Sequence, residues 1–188
     1  MAKTQRVRLP EKPRNGLVLV LTGEGKGKTT SCLGMALRAV GYGMRVAMIQ
    51  FIKGAIHYGE IDGAKRLAPE FELIPMGKGF VGIRGDDLPF EEHRAAAAKA
   101  LSTAREKMLS GNYDILILDE VHVAVHLGLV DLADLLALIG ERPDPVHLIL
   151  SGRHAREEVM LKAHLVTEMK NLKHPFDLGI EAEKGIDY

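Results

Sequence analysis

Two short clusters in this chain carry residue types suited to phosphate chemistry. The first is Thr22-Gly23-Glu24-Gly25-Lys26-Gly27-Lys28-Thr29-Thr30. Its glycines let backbone N–H groups converge on an anion without Cβ clashes. Lys28 can reach phosphate oxygens as a point charge, and the Thr29 hydroxyl suits Mg²⁺. The second cluster is Asp119-Glu120, an acidic pair of the Walker B kind, which holds Mg²⁺ directly or through water. The two in this order point to a nucleoside-triphosphate site. One letter departs from G-x-x-x-x-G-K-[ST]: its first place falls on Thr22, and the nearest glycine, Gly23, comes one residue late.

Both clusters sit where an apolar run stops. Leu17 through Leu21 are consecutive apolar residues without alternation, the mark of a strand buried on both faces. Residues 30–40 then show helical periodicity, so the glycine loop meets a helix N-terminus and its partial positive charge. Gly41-Tyr42-Gly43 stops that helix, and residues 45–51 read as a second buried strand. Strand, helix and strand over this length imply parallel pairing with a right-handed crossover. Residues 53–60 follow at a strand's carboxyl end, where open α/β sheets keep their ligand crevice. A short helix near 61–67 and a strand near 71–74 come next. The segment 75–87 has four glycines and no usable period, as expected of a lid or pocket wall.

A long helix to about Leu109 follows, with Phe90, Ala97, Leu101, Ala104 and Met108 as its apolar stripe; it reads as scaffold. The run from Tyr113 to Leu118 is the strand that delivers Asp119 and Glu120. His122 and His126 are four apart and could share a helical face as metal ligands. No nearby carboxylate or cysteine completes such a set, and Val121, Val123 and Val125 suggest strand-like alternation instead. A helix over 129–140 and a buried strand over 146–150 precede Arg153, which either reaches phosphate or stays solvated. A helix from about 156 and a short strand over 164–168 complete the sheet. The expectation is a single α/β domain over 16–188, P-loop NTPase-like (RecA-like), three-layered, with a mostly parallel sheet. Residues 1–15, polar and carrying Pro10 and Pro13, read as a mobile N-terminal arm.

Composition narrows the class. With 188 residues, 46% hydrophobic and 27% charged, the chain is an ordinary globular one. Its 25 basic and 25 acidic residues cancel, so neither a nucleic-acid nor an anionic-membrane surface is expected. Cys32 is the only cysteine; in the helix after the loop it reads as a buried, inert thiol. No apolar segment precedes the first strand, and no run approaches the ~20 residues of a membrane span. A cytoplasmic location is the expectation.

The motifs also carry a family likeness. Gly-Glu-Gly-Lys-Gly-Lys-Thr-Thr at 23–30, Val-Ala-Met-Ile-Gln-Phe-Ile-Lys-Gly at 46–54, Leu-Asp-Glu at 118–120 and Leu-Ser-Gly-Arg at 150–153 are four of them. With Lys-His-Pro-Phe-Asp-Leu-Gly at 173–179 and Gly-Ile-Asp-Tyr at 185–188, they resemble the P-loop type of ATP:corrinoid adenosyltransferase. The likeness covers nearly the whole chain, and the family also has Thr at the place of Thr22. It implies that Co(I) of a corrinoid, whether cob(I)alamin, a cob(I)inamide or cobyrinic acid diamide, attacks C5′ of ATP and triphosphate leaves. The setting would be biosynthesis or salvage of adenosylcobalamin, the vitamin B12 coenzyme.

By position, the resemblance puts Gly23, Glu24, Gly25, Lys26, Gly27, Lys28, Thr29 and Thr30 at the nucleotide, with Arg38 and His174 near it. It puts Thr29, Asp119 and Glu120 at Mg²⁺, for which Mn²⁺ is the substitute. Phe80 matches an aromatic that presses the corrin's lower face and strips its axial ligand, so Lys28 and Phe80 are the catalytic candidates. Partners implied are ATP, reduced corrinoid, a second copy in a homodimer, and an electron-donating reductase such as a flavoprotein. Three places depart from the better-known enteric members. Glu24 replaces Asn, Gly82 replaces a second aromatic, and the N-terminal arm is shorter. The competing readings are a P-loop ATPase or kinase of the same fold, and a non-catalytic nucleotide- or corrinoid-binding regulator.

Overall fold

The computed structural model describes residues 15–54, 57–79, 81–82 and 88–188. Phe80 and nearly all of the expected N-terminal arm lie outside them. Twelve regular elements follow one another among the described residues. They are β1 (Val18–Thr22), α1 (Lys28–Val40), β2 (Val46–Gln50), α2 (Gly59–Lys65), β3 (Phe71–Pro75) and α3 (Phe90–Leu109). Then come β4 (Ile115–Asp119), α4 (Val121–His126), α5 (Leu132–Gly140), β5 (His147–Ser151), α6 (Glu157–Met160) and β6 (Leu165–Glu168). A 3₁₀ turn at Pro175–Leu178 lies in the tail.

The strands form one sheet in the order β3-β2-β4-β5-β1-β6, and every pairing is parallel. The apolar runs explain this. Strands β2 and β4 are buried at all five positions, which requires a layer on each face. Alternate residues divide between the layers. Val20, Ala47, Ile49, Leu116, Leu118, Leu148 and Leu150 pack with the buried side chains of α3, α4 and α5. Leu21, Val46, Met48, Ile115, Ile117 and Ile149 pack with Cys32, Ala36 and Ala39 of α1 and Ala64 of α2. The three-layer, parallel architecture expected from the sequence is thus the one found.

Two local expectations change. Phe90 does not belong to the packed stripe of α3: it opens the helix and is 45% exposed, while His93 and Ala100 are buried with Ala97, Leu101, Ala104 and Met108. The packed face begins one turn later than the apolar letters suggest. Val121–His126 is a helix, not an alternating strand. Glu120 takes a left-handed turn, φ 61°, that ends β4 and starts α4 at once, so the valine spacing carries no strand signal. His122 is buried and its imidazole is held down to about 4 by burial, whereas His126 is exposed and stacks on His154 at 4.0 Å between ring centroids.

Cys32 is fully buried beneath the sheet, and burial first, then the charge of Asp119, raises its thiol well above the usual range. A thiol-specific chromogenic reagent is therefore expected to label the native chain hardly at all, and to label one thiol per chain in denaturant. Rapid native labelling would show that this helix does not stay packed.

Candidate active site

Three neighbouring strands, β2, β4 and β5, end on polar residues after apolar runs: Gln50, Asp119 and Ser151. All three are fully buried. Because the sheet is parallel, these ends lie side by side at its carboxyl edge, with Asp119 in the middle. Ser151 Oγ donates to Asp119 Oδ1 at 2.6 Å, and Gln50 Nε2 donates to Oδ2 at 3.1 Å. Thr29 Oγ1, in the first turn of α1, donates to the same carboxylate at 3.0 Å. Both oxygens of Asp119 are thus occupied, and the two signature clusters are joined by a hydrogen bond across 90 residues of chain.

The glycine loop leaves β1 beside them. Thr22 is the last strand residue, buried, and its hydroxyl accepts from the Ala155 N–H at 3.3 Å. The left-handed turn is made by Gly23, φ 95°, so the glycine that stands one place late in the motif is where the backbone needs it. Gly23 and Gly25 are also required by packing. A Cβ on Gly23 would strike the Met169 carbonyl, and one on Gly25 would come within 2.7 Å of the Lys170 backbone. The chain leaving β6 presses on the loop, and Gly25 N–H donates to Met169 O at 2.7 Å. Lys28 curls back over the loop and donates to the carbonyls of Gly23 at 2.7 Å and Gly25 at 2.8 Å. Burial pulls its ammonium below the ordinary lysine range, Glu120 opposes that, and Arg153 adds to it.

A cavity of about 620 Å³ opens in front of this loop. Residues 24–30 form one wall. Lys53, Tyr58, Glu60, Glu120 and Arg153 form others, and the tail closes it with His174 and residues 185–188. The tail is fastened there by an ion pair between Lys26 and Asp187. The Lys53 ammonium lies 2.8 Å from Glu60 and 4.6 Å from the centre of the Tyr58 ring. Glu24 faces Arg153 at 3.6 Å and His154 at 3.9 Å. The negative charge that Glu24 brings to the loop is therefore met by the Arg153 guanidinium of the β5–α6 connection.

The donor set suits a hard divalent cation. Thr29 gives its hydrogen to Asp119, which leaves oxygen lone pairs free. Burial first, then the charge of Asp119 beside it, raises the Glu120 carboxyl, against the opposing pull of Lys28, Lys53 and Arg153. Among the described residues no three His, Cys, Asp or Glu side chains are grouped to hold a metal by themselves.

The sequence model for "ATP:corrinoid adenosyltransferase BtuR/CobO/CobP" matches residues 14–188. The chain belongs to this family. Among its curated relatives, a corrinoid adenosyltransferase of Pseudomonas aeruginosa is 37% identical over 92% of this chain and 84% of its own length. Corrinoid adenosyltransferases of Sinorhizobium sp and Escherichia coli are 34% and 35% identical, over 100% and 92% of this chain and 87% and 86% of theirs. The fold is shared more widely. The flagellar accessory protein FlaH of Methanocaldococcus jannaschii superposes with a TM-score of 0.54 at 14% identity, covering 82% of this chain and 71% of that one.

Most of the positions carried over from the ATP:corrinoid adenosyltransferase family converge. Glu24, Gly25, Lys26, Gly27, Lys28, Thr29, Thr30, Glu120 and His174 all line the one cavity. Gly23 stands at the loop's turn, and Asp119 lies behind Thr29 rather than at the cavity surface. Arg38 is the exception: it is exposed in the last turn of α1, ten residues beyond Lys28, which is about 15 Å along a helix. Three contributors carry no assigned role in the sequence although each lies in a quoted motif: Gln50 and Ser151 on either side of Asp119, and Asp187 on Lys26. The first two did leave a signal, since a lone polar residue ending a fully buried strand must find a partner. Asp187 left none.

Proposed function

We propose that this protein transfers the 5′-deoxyadenosyl group of ATP to the Co(I) of a corrinoid and releases triphosphate. One observation carries the reading. The tail that sets this family apart from other P-loop proteins lines the same cavity as the phosphate loop, tied to it through Lys26 and Asp187. In the reaction the cobalt lone pair forms the bond to C5′. The C5′–O bond breaks, and triphosphate departs with its electron pair, leaving the cobalt formally Co(III).

Such a nucleophile needs no activating base, so the protein's part is alignment and stabilisation of the leaving group. The loop N–H groups, Lys28 and Lys26 hold the triphosphate, with Lys26 exchanging Asp187 for phosphate oxygen. Arg153, across the loop, adds charge where the leaving group develops it. Thr29 and Glu120 would hold Mg²⁺ or Mn²⁺, with Asp119 orienting Thr29 from behind. When bound, the cation supplies Lewis-acid stabilisation of the triphosphate. Phe80 is the residue proposed to press on the corrin, and His174 the one to face the nucleotide.

The working form is proposed to be a homodimer of 16–188 domains. In support, β6 is an edge strand with Leu165 and Val166 45% and 44% exposed, and Phe176 in the tail is 80% exposed. Light scattering at micromolar concentration should return twice the chain mass; a monomer there refutes the dimer. A reductase, of the flavoprotein kind, is needed to supply the electron that turns Co(II) into Co(I). No helix among the described residues is long and apolar enough to cross a membrane, which is compatible with a cytoplasmic setting.

The decisive experiment incubates the protein with ATP, Mg²⁺ and chemically reduced cob(I)alamin. Light-sensitive adenosylcobalamin with one triphosphate per turnover is the expected product. ATP cleaved to ADP or phosphate without any cobalt–carbon bond sinks the proposal in favour of a hydrolase or kinase.

A further inference from the structure

Gln50 is fully buried at the end of β2, yet its amide oxygen has no hydrogen-bond partner among the described residues. An unsatisfied buried acceptor is costly, and an apolar residue of similar size would avoid that cost. What this glutamine gains is on its other atom. Nε2 donates to Asp119 Oδ2 at 3.1 Å and faces Glu60 Oε1 at 3.4 Å. Glu60, in the first turn of α2, is also held by Lys53 at 2.8 Å. A single amide nitrogen therefore stands between the carboxylate that orients Thr29 and the carboxylate that anchors the Lys53–Tyr58 wall.

The backbone of the same residue reinforces the junction. Gln50 O accepts from Met76 N at 3.0 Å and Gly77 N at 3.1 Å. Gly77 and Gly54 approach so closely that a Cβ on either would meet backbone of the other segment.

We propose that Gln50 is a positioning residue that clamps Asp119 and Glu60 to one another, making the phosphate end of the cavity and its Lys53–Tyr58 wall one rigid unit. This rests on the adenosyl-transfer reading. In-line attack needs the leaving group and the incoming nucleophile held in mutual register, so looseness between the two walls lowers turnover more than nucleotide affinity.

The test follows adenosylcorrinoid formation and, separately, equilibrium binding of ATP without corrinoid. Wild type is compared with Gln50→Met, Glu60→Ala, their combination and Glu60→Gln. Each of the first two should lower kcat about tenfold while the ATP dissociation constant stays within about threefold. The combined variant should be no slower than the worse single one, because both break one clamp. Glu60→Gln keeps an acceptor for both the amide and the ammonium, and should recover to within about threefold of wild type. The Glu60 variants, at a half-buried site, keep the test alive if Gln50→Met does not fold. An unchanged kcat in Glu60→Ala, losses that multiply, or an equal loss of ATP binding overturns the clamp. A wild type that forms no adenosylcorrinoid overturns the reading beneath it and the clamp's kinetic role together, whereas an active wild type with unaffected variants overturns the clamp alone.

Discussion

Lys28→Ala is expected to lower kcat/KM for adenosyl transfer by at least about 10²–10³-fold, the scale seen when one preorganised donor to a developing charge is removed. The geometry gives two reasons. Lys28 is the one loop cation that is buried, 7% exposed, and its ammonium is held at the loop by the carbonyls of Gly23 and Gly25. A charge so placed, and so little hydrated, acts strongly on triphosphate oxygens and needs little reorganisation as charge builds. The two carbonyls lose a donor in the variant, at roughly 1–2 kcal/mol of stability, so circular dichroism and melting should still report a folded chain. Transfer assays across ATP concentration decide the matter. A rate close to wild type at saturating ATP would mean that Lys28 binds ground state and transition state alike, or neither.

Asp119→Ala should have the next largest effect, and on two quantities at once. Ser151, Gln50 and Thr29 all donate to this carboxylate, and Asp119 is completely buried. Alanine leaves three donors without their acceptor, and those of Ser151 and Gln50 are closed off from water, a loss of about 2–3 kcal/mol if each costs about one. Thr29 loses the partner that turns its hydroxyl toward the cavity, so transfer should fall by at least about 100-fold even where the chain remains folded. Urea unfolding and turnover measured on the same preparation test both parts. A stability loss below about 1 kcal/mol would show that the strand ends satisfy one another by other means. Unchanged turnover would remove Asp119 from the site.

Much of this architecture could be read directly, for identifiable reasons. Strands buried on both faces are apolar through most of their length, so β1, β2, β4 and β5 announce themselves as short apolar runs that end on a polar residue. The glycine loop and the acidic pair were legible because each is a local arrangement, set within ten residues of chain. Where sequence pattern and structure part, the cause is local ambiguity. The alternating valines after Glu120 suit a strand or a helix equally, and only the left-handed turn at Glu120 chooses the helix. Phe90 has the right spacing for the α3 stripe but occupies its exposed first position, and a spacing does not say where packing begins.

The sequence by itself therefore determined the layers, the phosphate loop, the carboxylates and the family. It did so because burial on two faces and phosphate binding both leave their mark on consecutive residues. The tertiary structure alone decided how those parts face one another. It set Gln50, Asp119 and Ser151 side by side by giving three strands a common carboxyl edge. It matched Glu24 with Arg153 and His154, and it returned the tail to the loop, pairing Lys26 with Asp187 across 161 positions. Such contacts depend on strand order and on where a long chain doubles back, and neither is written in the spacing of any one segment.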